Sequence, residues 1–195
     1  VKATWDEYLQ AEENPDYEKA KIYYYQEQIR IEMSPLGNDH ASDHSIICNA
    51  INLYSILKGI DLNANDNCTY RKTGYRSAQP DLSYHIGDKA DAIPYNTGIV
   101  NLDIYPAPNL VIEIANTSLL DDLGNKRLLY ENFGCEEYWI VDVKNQKIIA
   151  FAIKDGGSKQ ITKSQVLPNL ELDNLEDDSR HAHQQVHRQV GAWLL

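Results

Sequence analysis

The sequence predicts an α/β protein in which helices flank a central mixed β-sheet and a β-hairpin extension precedes it. Three stretches carry that expectation. Residues 109–143 read as a complete strand–helix–strand unit, the segment ending at Lys58 repeats apolar residues at helical spacing, and residues 21–33 fall into two strand-like runs around Gln26-Glu27-Gln28.

Taken in order, residues 4–13 can form a short helix opened by Thr4 and carrying Trp5, Tyr8 and Leu9, which Asn14-Pro15-Asp16 ends. In the hairpin, Ile29-Arg30-Ile31-Glu32-Met33 alternates with period two. Ser34-Pro35-Leu36-Gly37-Asn38 is a turn cluster, after which Asp39 or Ser42 can cap a helix to about Lys58. Ile46, Ile47, Ala50, Ile51, Tyr54 and Leu57 form its apolar face, and Gly59 closes it. Residues 61–72 are polar, with strand character only at 68–71. Pro80-Asp81-Leu82 leads into a short strand, and residues 87–108 show no period and read as a connecting loop with room for a helical turn.

Residues 109–115 are an apolar run interrupted by one carboxylate, Glu113. Thr117 or Ser118 can cap the helix that follows. Ser118 with Asp121 approximates a capping box, while Asp121 and Asp122 suit the positive end of the helix dipole. The helix carries Leu119, Leu120, Leu123, Leu129, Tyr130 and Phe133 and should stop at Gly134. Tyr138, Trp139, Ile140 and Val141 then form a second strand. Two strands joined by such a helix are normally parallel, with a right-handed crossover and both sheet faces covered. Lys144-Asn145-Gln146 turns the chain into an antiparallel return strand at 147–153, and Gly156-Gly157 with residues 160–162 suggests one more hairpin. Residues 174–195 read as a polar helix with Val186, Val190, Trp193 and Leu194 on one side. The expected organisation is one domain over residues 1–172 and a helical tail over 173–195.

Composition narrows the class. Of 195 residues, 43% are apolar and 24% charged, as in ordinary globular proteins. There is no run of about 18 apolar residues and no basic-then-apolar leader, which predicts a cytoplasmic protein without a membrane partner. Cys48, Cys68 and Cys135 are scattered and odd in number, so they suggest neither a disulfide framework nor a zinc ribbon. With 29 acidic and 18 basic residues the formal charge is −11, which opposes indiscriminate binding to phosphate backbones. A nucleic-acid function then needs a local basic patch, a divalent metal, or both.

Alternation puts Leu110, Ile112 and Ile114 on one face of their strand and Val111, Glu113 and Ala115 on the other. A partly buried Glu113 without a partner would cost several kcal/mol or keep its proton, so it should meet a cation, a donor network or a metal. The plainer alternative is a satisfied structural glutamate. Pro80-Asp81 places a second carboxylate at a strand's start, within reach of a neighbouring strand's glutamate. Such a pair repels unless a cation lies between, and magnesium with oxygen ligands is the natural candidate. Taken alone, a Pro-Asp pair is common, and Asp81 then reads as the cap of a turn after Pro80. Asp122 and Lys126 stand four apart on the helix, usually a surface ion pair. This helix starts just after Glu113, however, so Lys126 can lean over the carboxylates, where it could orient or deprotonate a water and offset transition-state charge. His40 and His44 are also four apart and can share a helix face as a transition-metal pair. His181, His183 and His187 lie in the tail as solvated residues. Tyr23-Tyr24-Tyr25 can stack on bases or pack at a sheet edge.

The succession Pro80-Asp81, Val111-Ile112-Glu113-Ile114, Ser118 with Asp122 and Lys126, Tyr130, and Glu137-Tyr138-Trp139-Ile140-Val141-Asp142 resembles the Uma-two family of restriction endonucleases, within the PD-(D/E)xK superfamily. The likeness extends upstream through Met33-Ser34-Pro35 and His40 and covers roughly residues 22–151. It implies a restriction-endonuclease-like fold, DNA as substrate, Asp81 and Glu113 as ligands of Mg2+ (or Mn2+), and a lysine completing the site. Two departures stand out. The superfamily's lysine two residues after the acid is Ala115 here, which makes Lys126 a migrated substitute. Where the family tends to carry an acid in the hairpin, this chain has Tyr23-Tyr24-Tyr25, with Glu27 or Glu32 as substitutes. Two functions follow: a magnesium-dependent DNA endonuclease, or a catalytically inactive relative serving as a binding or assembly module. A homodimer is expected, with the Trp193 helix as a contact.

Overall fold

In the computed structural model, which describes residues 1–33 and 37–184, the strands form two sheets packed on each other. Helix α1 (Trp5–Glu12) opens at Thr4 with a reciprocal capping box to Glu7. Strands β1 (Ala20–Tyr25) and β2 (Gln28–Met33) form the expected hairpin. Its turn residues, Gln26 and Glu27, both have positive φ, the conformation that matches the twist of a two-residue hairpin loop. Helix α2 (Asn38–Lys58) ends at Gly59, whose φ of 63° is the left-handed cap expected there. It begins from Gly37 without a side-chain cap, which places Asp39 and Ser42 inside the first turns rather than at the cap.

Next come β3 (Leu62–Asp66), β4 (Tyr70–Lys72), β5 (Arg76–Ala78), β6 (Leu82–Ile86), the two-residue β7 (Val100–Asn101) and β8 (Leu110–Ala115). Helical segments α3 (Leu119–Asp121) and α4 (Arg127–Glu131) are joined through a π turn at Asp122–Lys126. Strands β9 (Glu137–Asp142), β10 (Lys147–Lys154) and β11 (Gly157–Ile161) and helix α5 (Leu172–Gln184) complete the described chain. The six-stranded sheet runs β11-β10-β9-β8-β6-β3, with β8 and β9 parallel as expected for their crossover. The hairpin is the outer part of a five-stranded sheet ordered β2-β1-β5-β4-β7.

Alternation along β8 sorts its side chains as read from the sequence. Leu110, Ile112 and Ile114 pack with Ile47, Ile51 and Tyr54 of α2, with Trp139, and with Leu172 and Leu175 of α5. Val111 and Ala115 face the other way, into a second core built from Tyr23, Tyr70, Tyr130, Tyr138 and Ile140. The five-stranded sheet and the α3–α4 segment therefore cover the Glu113 face. An unpaired carboxylate cannot rest between two such apolar layers, so the layers must supply its partners.

The helix between β8 and β9 departs from the regular periodicity assumed for it. Gly124 lies at the centre of the π turn and has open space where a side chain would sit. Ser118 makes no cap; its hydroxyl donates to Asp122 at 2.6 Å. The second missed element is β3, whose Leu-Asn-Ala-Asn-Asp sequence is polar because it is an edge strand. Ser34-Pro35-Leu36, His187, and the helix face at Val186, Val190, Trp193 and Leu194 lie outside the described residues. Among the described residues no helix is long and apolar enough to cross a membrane.

Candidate active site

Asp81, Glu113 and Lys126, read from distant parts of the sequence, meet between the two sheets. Glu113 on β8 is 2% exposed. One carboxylate oxygen, Oε1, accepts the hydroxyls of Tyr130 at 2.7 Å and Tyr23 at 3.3 Å, and Oε2 faces the Lys126 ammonium at 3.5 Å. Burial pushes its pKa up to about 7, with Lys126 opposing and Asp81 adding to the rise.

Asp81 immediately precedes β6. Its Oδ2 accepts the Ile114 N–H at 2.6 Å, which fixes it beside the strand carrying Glu113, and its Oδ1 meets Lys21 Nζ at 2.5 Å. Burial alone would raise its pKa. The Lys21 ammonium and the Ile114 N–H outweigh that effect and hold it below the usual carboxylate range.

The π turn buries Asp122 and Lys126 together. Lys126 Nζ lies 2.8 Å from Glu32 Oε2, 3.0 Å from Asp122 Oδ1 and 4.7 Å from the centre of the Tyr23 ring. Burial disfavours its charge, but Glu113, Asp122 and Glu32 together hold its pKa well above the ordinary lysine value. It is therefore a fixed ammonium at neutral pH. Asp122 goes the other way, its pKa raised by burial against the pull of Lys126 and Ser118.

The hairpin register explains how the second sheet contributes. Lys21 and Glu32 stand directly opposite each other, so one reaches Asp81 and the other Lys126. Of Glu27 and Glu32, only Glu32 reaches the cluster, since Glu27 is exposed in the turn. Arg30 links the same strand to both Glu32 and Asp121 at 2.5 Å. Lys21 was missed from sequence. Its only signal is position: it shares strand parity with buried Tyr23 at the start of an apolar run.

His40 Nε2 is 3.8 Å from Asp81 Oδ1, and burial lowers its pKa. His44 Nε2 is 3.1 Å from Asp66 and 3.2 Å from the Asp81 carbonyl. The two imidazoles are side by side, yet among the described residues no group of three or more His, Cys, Asp or Glu is arranged to hold a metal ion. Tyr23 and Tyr24 are buried, Tyr24 against Trp5 and Tyr8, so neither ring is presented for stacking on a base.

A cavity of about 610 Å3 opens between the hairpin and the π turn, reaching Tyr23 and Lys126. Lys2, Arg30 and Lys126 line it with one carboxylate, Glu7, and of these cations Arg30 and Lys126 are already paired with carboxylates. Asp81 and Glu113 are not part of its wall.

The profile of the Uma2 family, described as "putative restriction endonuclease", matches residues 5–183. The structure is similar to a crystal structure from Anabaena variabilis described as "a putative nuclease belonging to DUF820". The TM-score is 0.62 at 19% identity, over 89% of this chain and 97% of that one. At that identity the likeness is one of fold: mixed sheets flanked by helices, the restriction-endonuclease-like architecture. Among curated proteins no sequence matches the chain. Matched by its profile over residues 5–183, the chain belongs to the Uma2 family.

Proposed function

We propose that this protein is a divalent-metal-dependent endonuclease that hydrolyses phosphodiester bonds in DNA, with Asp81 and Glu113 holding the ion and Lys126 as the fixed cation of the centre. One observation carries the reading: two carboxylates from β6 and β8 and a lysine from the π turn converge in one buried cluster. The family description and the fold neighbour's description as a nuclease support it.

The donor set suits magnesium. The cluster holds four carboxylates, Glu32, Asp81, Glu113 and Asp122, against the buried ammonium groups of Lys21 and Lys126. All four acids offer oxygen, and Glu113 Oε2 has only a long contact at 3.5 Å. Magnesium keeps several waters and needs only one or two protein carboxylates, which Asp81 and Glu113 would supply. Bound to Asp81 and Glu113, it supplies Lewis-acid polarisation of the phosphoryl oxygen and a more acidic water.

The chain's own residues do the rest. Lys126, charged and held by three carboxylates, offsets negative charge on the phosphoryl group and orients water, but it cannot take the proton. In this reading Lys126 is not assigned the general-base role. Tyr130 and Tyr23 hold Glu113 Oε1 and direct Oε2 toward the centre. In the adjoining cavity Lys2 is a cation available to a phosphate backbone that the overall charge of −11 repels, whereas Arg30 is already paired with Glu32 and Asp121.

The alternative, an inactive binding or assembly module, is favoured by a specific feature. Both oxygens of Asp81 already have protein partners, Lys21 and the Ile114 N–H. Plasmid nicking separates the two. With Mg2+ or Mn2+ the protein should convert supercoiled plasmid to open circles, and Glu113→Gln and Lys126→Met should each abolish this. Absence of both nicking and ion-dependent thermal stabilisation in the unmodified protein would leave the module.

A further inference from the structure

We infer that Lys21 is the built-in cation of the metal-free site: its ammonium holds Asp81 Oδ1, so a divalent ion loading onto Asp81 competes with the Lys21–Asp81 pair. The inference rests on the reading of Asp81 as a metal ligand.

The contact is 2.5 Å between groups that are both about 5% exposed. The other Asp81 oxygen is committed to the Ile114 N–H at 2.6 Å, a backbone bond that ties the start of β6 to β8. A dication on Oδ1 would sit beside the Lys21 ammonium, where in a buried setting their repulsion is large, so the ion and Lys21 compete for that oxygen.

The two lysines of the centre differ in what leaving would cost. Lys126 has three carboxylates, and Glu113 is the most distant of them. Releasing Glu113 to an ion leaves it paired with Glu32 and Asp122. For Lys21, Asp81 is the one ion-pair partner among the described residues. Opening that pair strands a buried ammonium unless it moves, whereas removing Lys21 without an ion strands a buried carboxylate. Lys21 comes from β1 of the five-stranded sheet and Asp81 from the start of β6 in the other. The pair therefore also ties the sheets together when no ion is present. Lys21 thus keeps the metal-free fold intact and sets the ion concentration at which the site assembles.

The test is thermal unfolding of the unmodified protein, Lys21→Met and Lys21→Arg, in EDTA and across a series of MnCl2 concentrations. Free Mn2+ is read in parallel by electron paramagnetic resonance. Lys21→Met should melt lower in EDTA and reach half-maximal stabilisation at roughly tenfold less Mn2+, a coupling usual for groups in direct contact. Lys21→Arg, which keeps the cation, should follow the unmodified protein. If Lys21→Met does not fold in EDTA, Lys21→Gln replaces it with the same expected direction. Equal or weaker Mn2+ binding by the neutral variants would overturn the role of Lys21 while leaving the metal site standing. No ion-dependent stabilisation in any variant would overturn the metal reading, and this inference with it.

Discussion

Two buried glutamates on neighbouring parallel strands, Glu113 on β8 and Glu137 on β9, are held in opposite ways. Glu137 is enclosed by neutral donors: the Trp139 indole at 2.8 Å, the Ser164 hydroxyl at 3.0 Å, and the N–H groups of Gln165 and Val166. Glu113 has two tyrosine hydroxyls on one oxygen and, 3.5 Å from the other, the Lys126 ammonium. Burial raises the pKa of both. Four fixed donors turn a carboxylate into a bracket that ties the 164–166 loop to the sheet. A carboxylate with one oxygen facing an ammonium at 3.5 Å rather than bonded to fixed donors can exchange that partner for an ion, and that property is the one a metal site needs.

The contrast can be broken most severely at Glu137. Glu137→Ala leaves four donors with no acceptor and should destabilise the protein by about 4 kcal/mol. That lowers Tm by about 10 °C for a chain of this size, and urea denaturation with Tm will check it. The protein that remains folded should retain ion binding.

Glu113→Gln should act in the other direction. In the folded protein Glu113 has a pKa of about 7, above its unfolded value of about 4.3. The folded state therefore binds the proton more tightly, and stability attributable to this group falls as pH rises through that window. In EDTA the Gln variant should be more stable than the parent by on the order of 3 kcal/mol at about pH 8, a gain that vanishes near pH 4. Denaturant midpoints across pH provide the measurement. A parallel pair of curves would refute the buried setting assigned to Glu113.

Tyr130→Phe sharpens the same point. Removing the hydroxyl 2.7 Å from Glu113 Oε1 should cost about 1 kcal/mol above neutral pH and move the Glu113 midpoint higher, as followed by carboxyl-region NMR. The smallest effect belongs to the half-exposed Lys163–Glu171 pair, where Lys163→Met should change stability by only about 0.3 kcal/mol.

Much of this arrangement was legible because its signals are local. A lone carboxylate in Leu-Val-Ile-Glu-Ile-Ala violates the pattern of a buried strand, and a Gly at each helix end marks where α2 and the α3–α4 segment finish. Lys126 was legible through its spacing from Asp122 and the family likeness. The π turn was not, since one widened turn leaves the apolar spacing almost unchanged. Nor was the second sheet, because β5 and β7 are too short to show a period. Lys21 and Glu32 depend on hairpin register, and shifting it by one residue would point both away from the site.

The most direct measurement is a calorimetric titration of Mn2+ into the unmodified protein, Glu113→Gln and Glu137→Gln. The account expects ion binding in the first and third and none in the second. Undiminished binding by Glu113→Gln would contradict it and return Glu113 to the same structural role as Glu137.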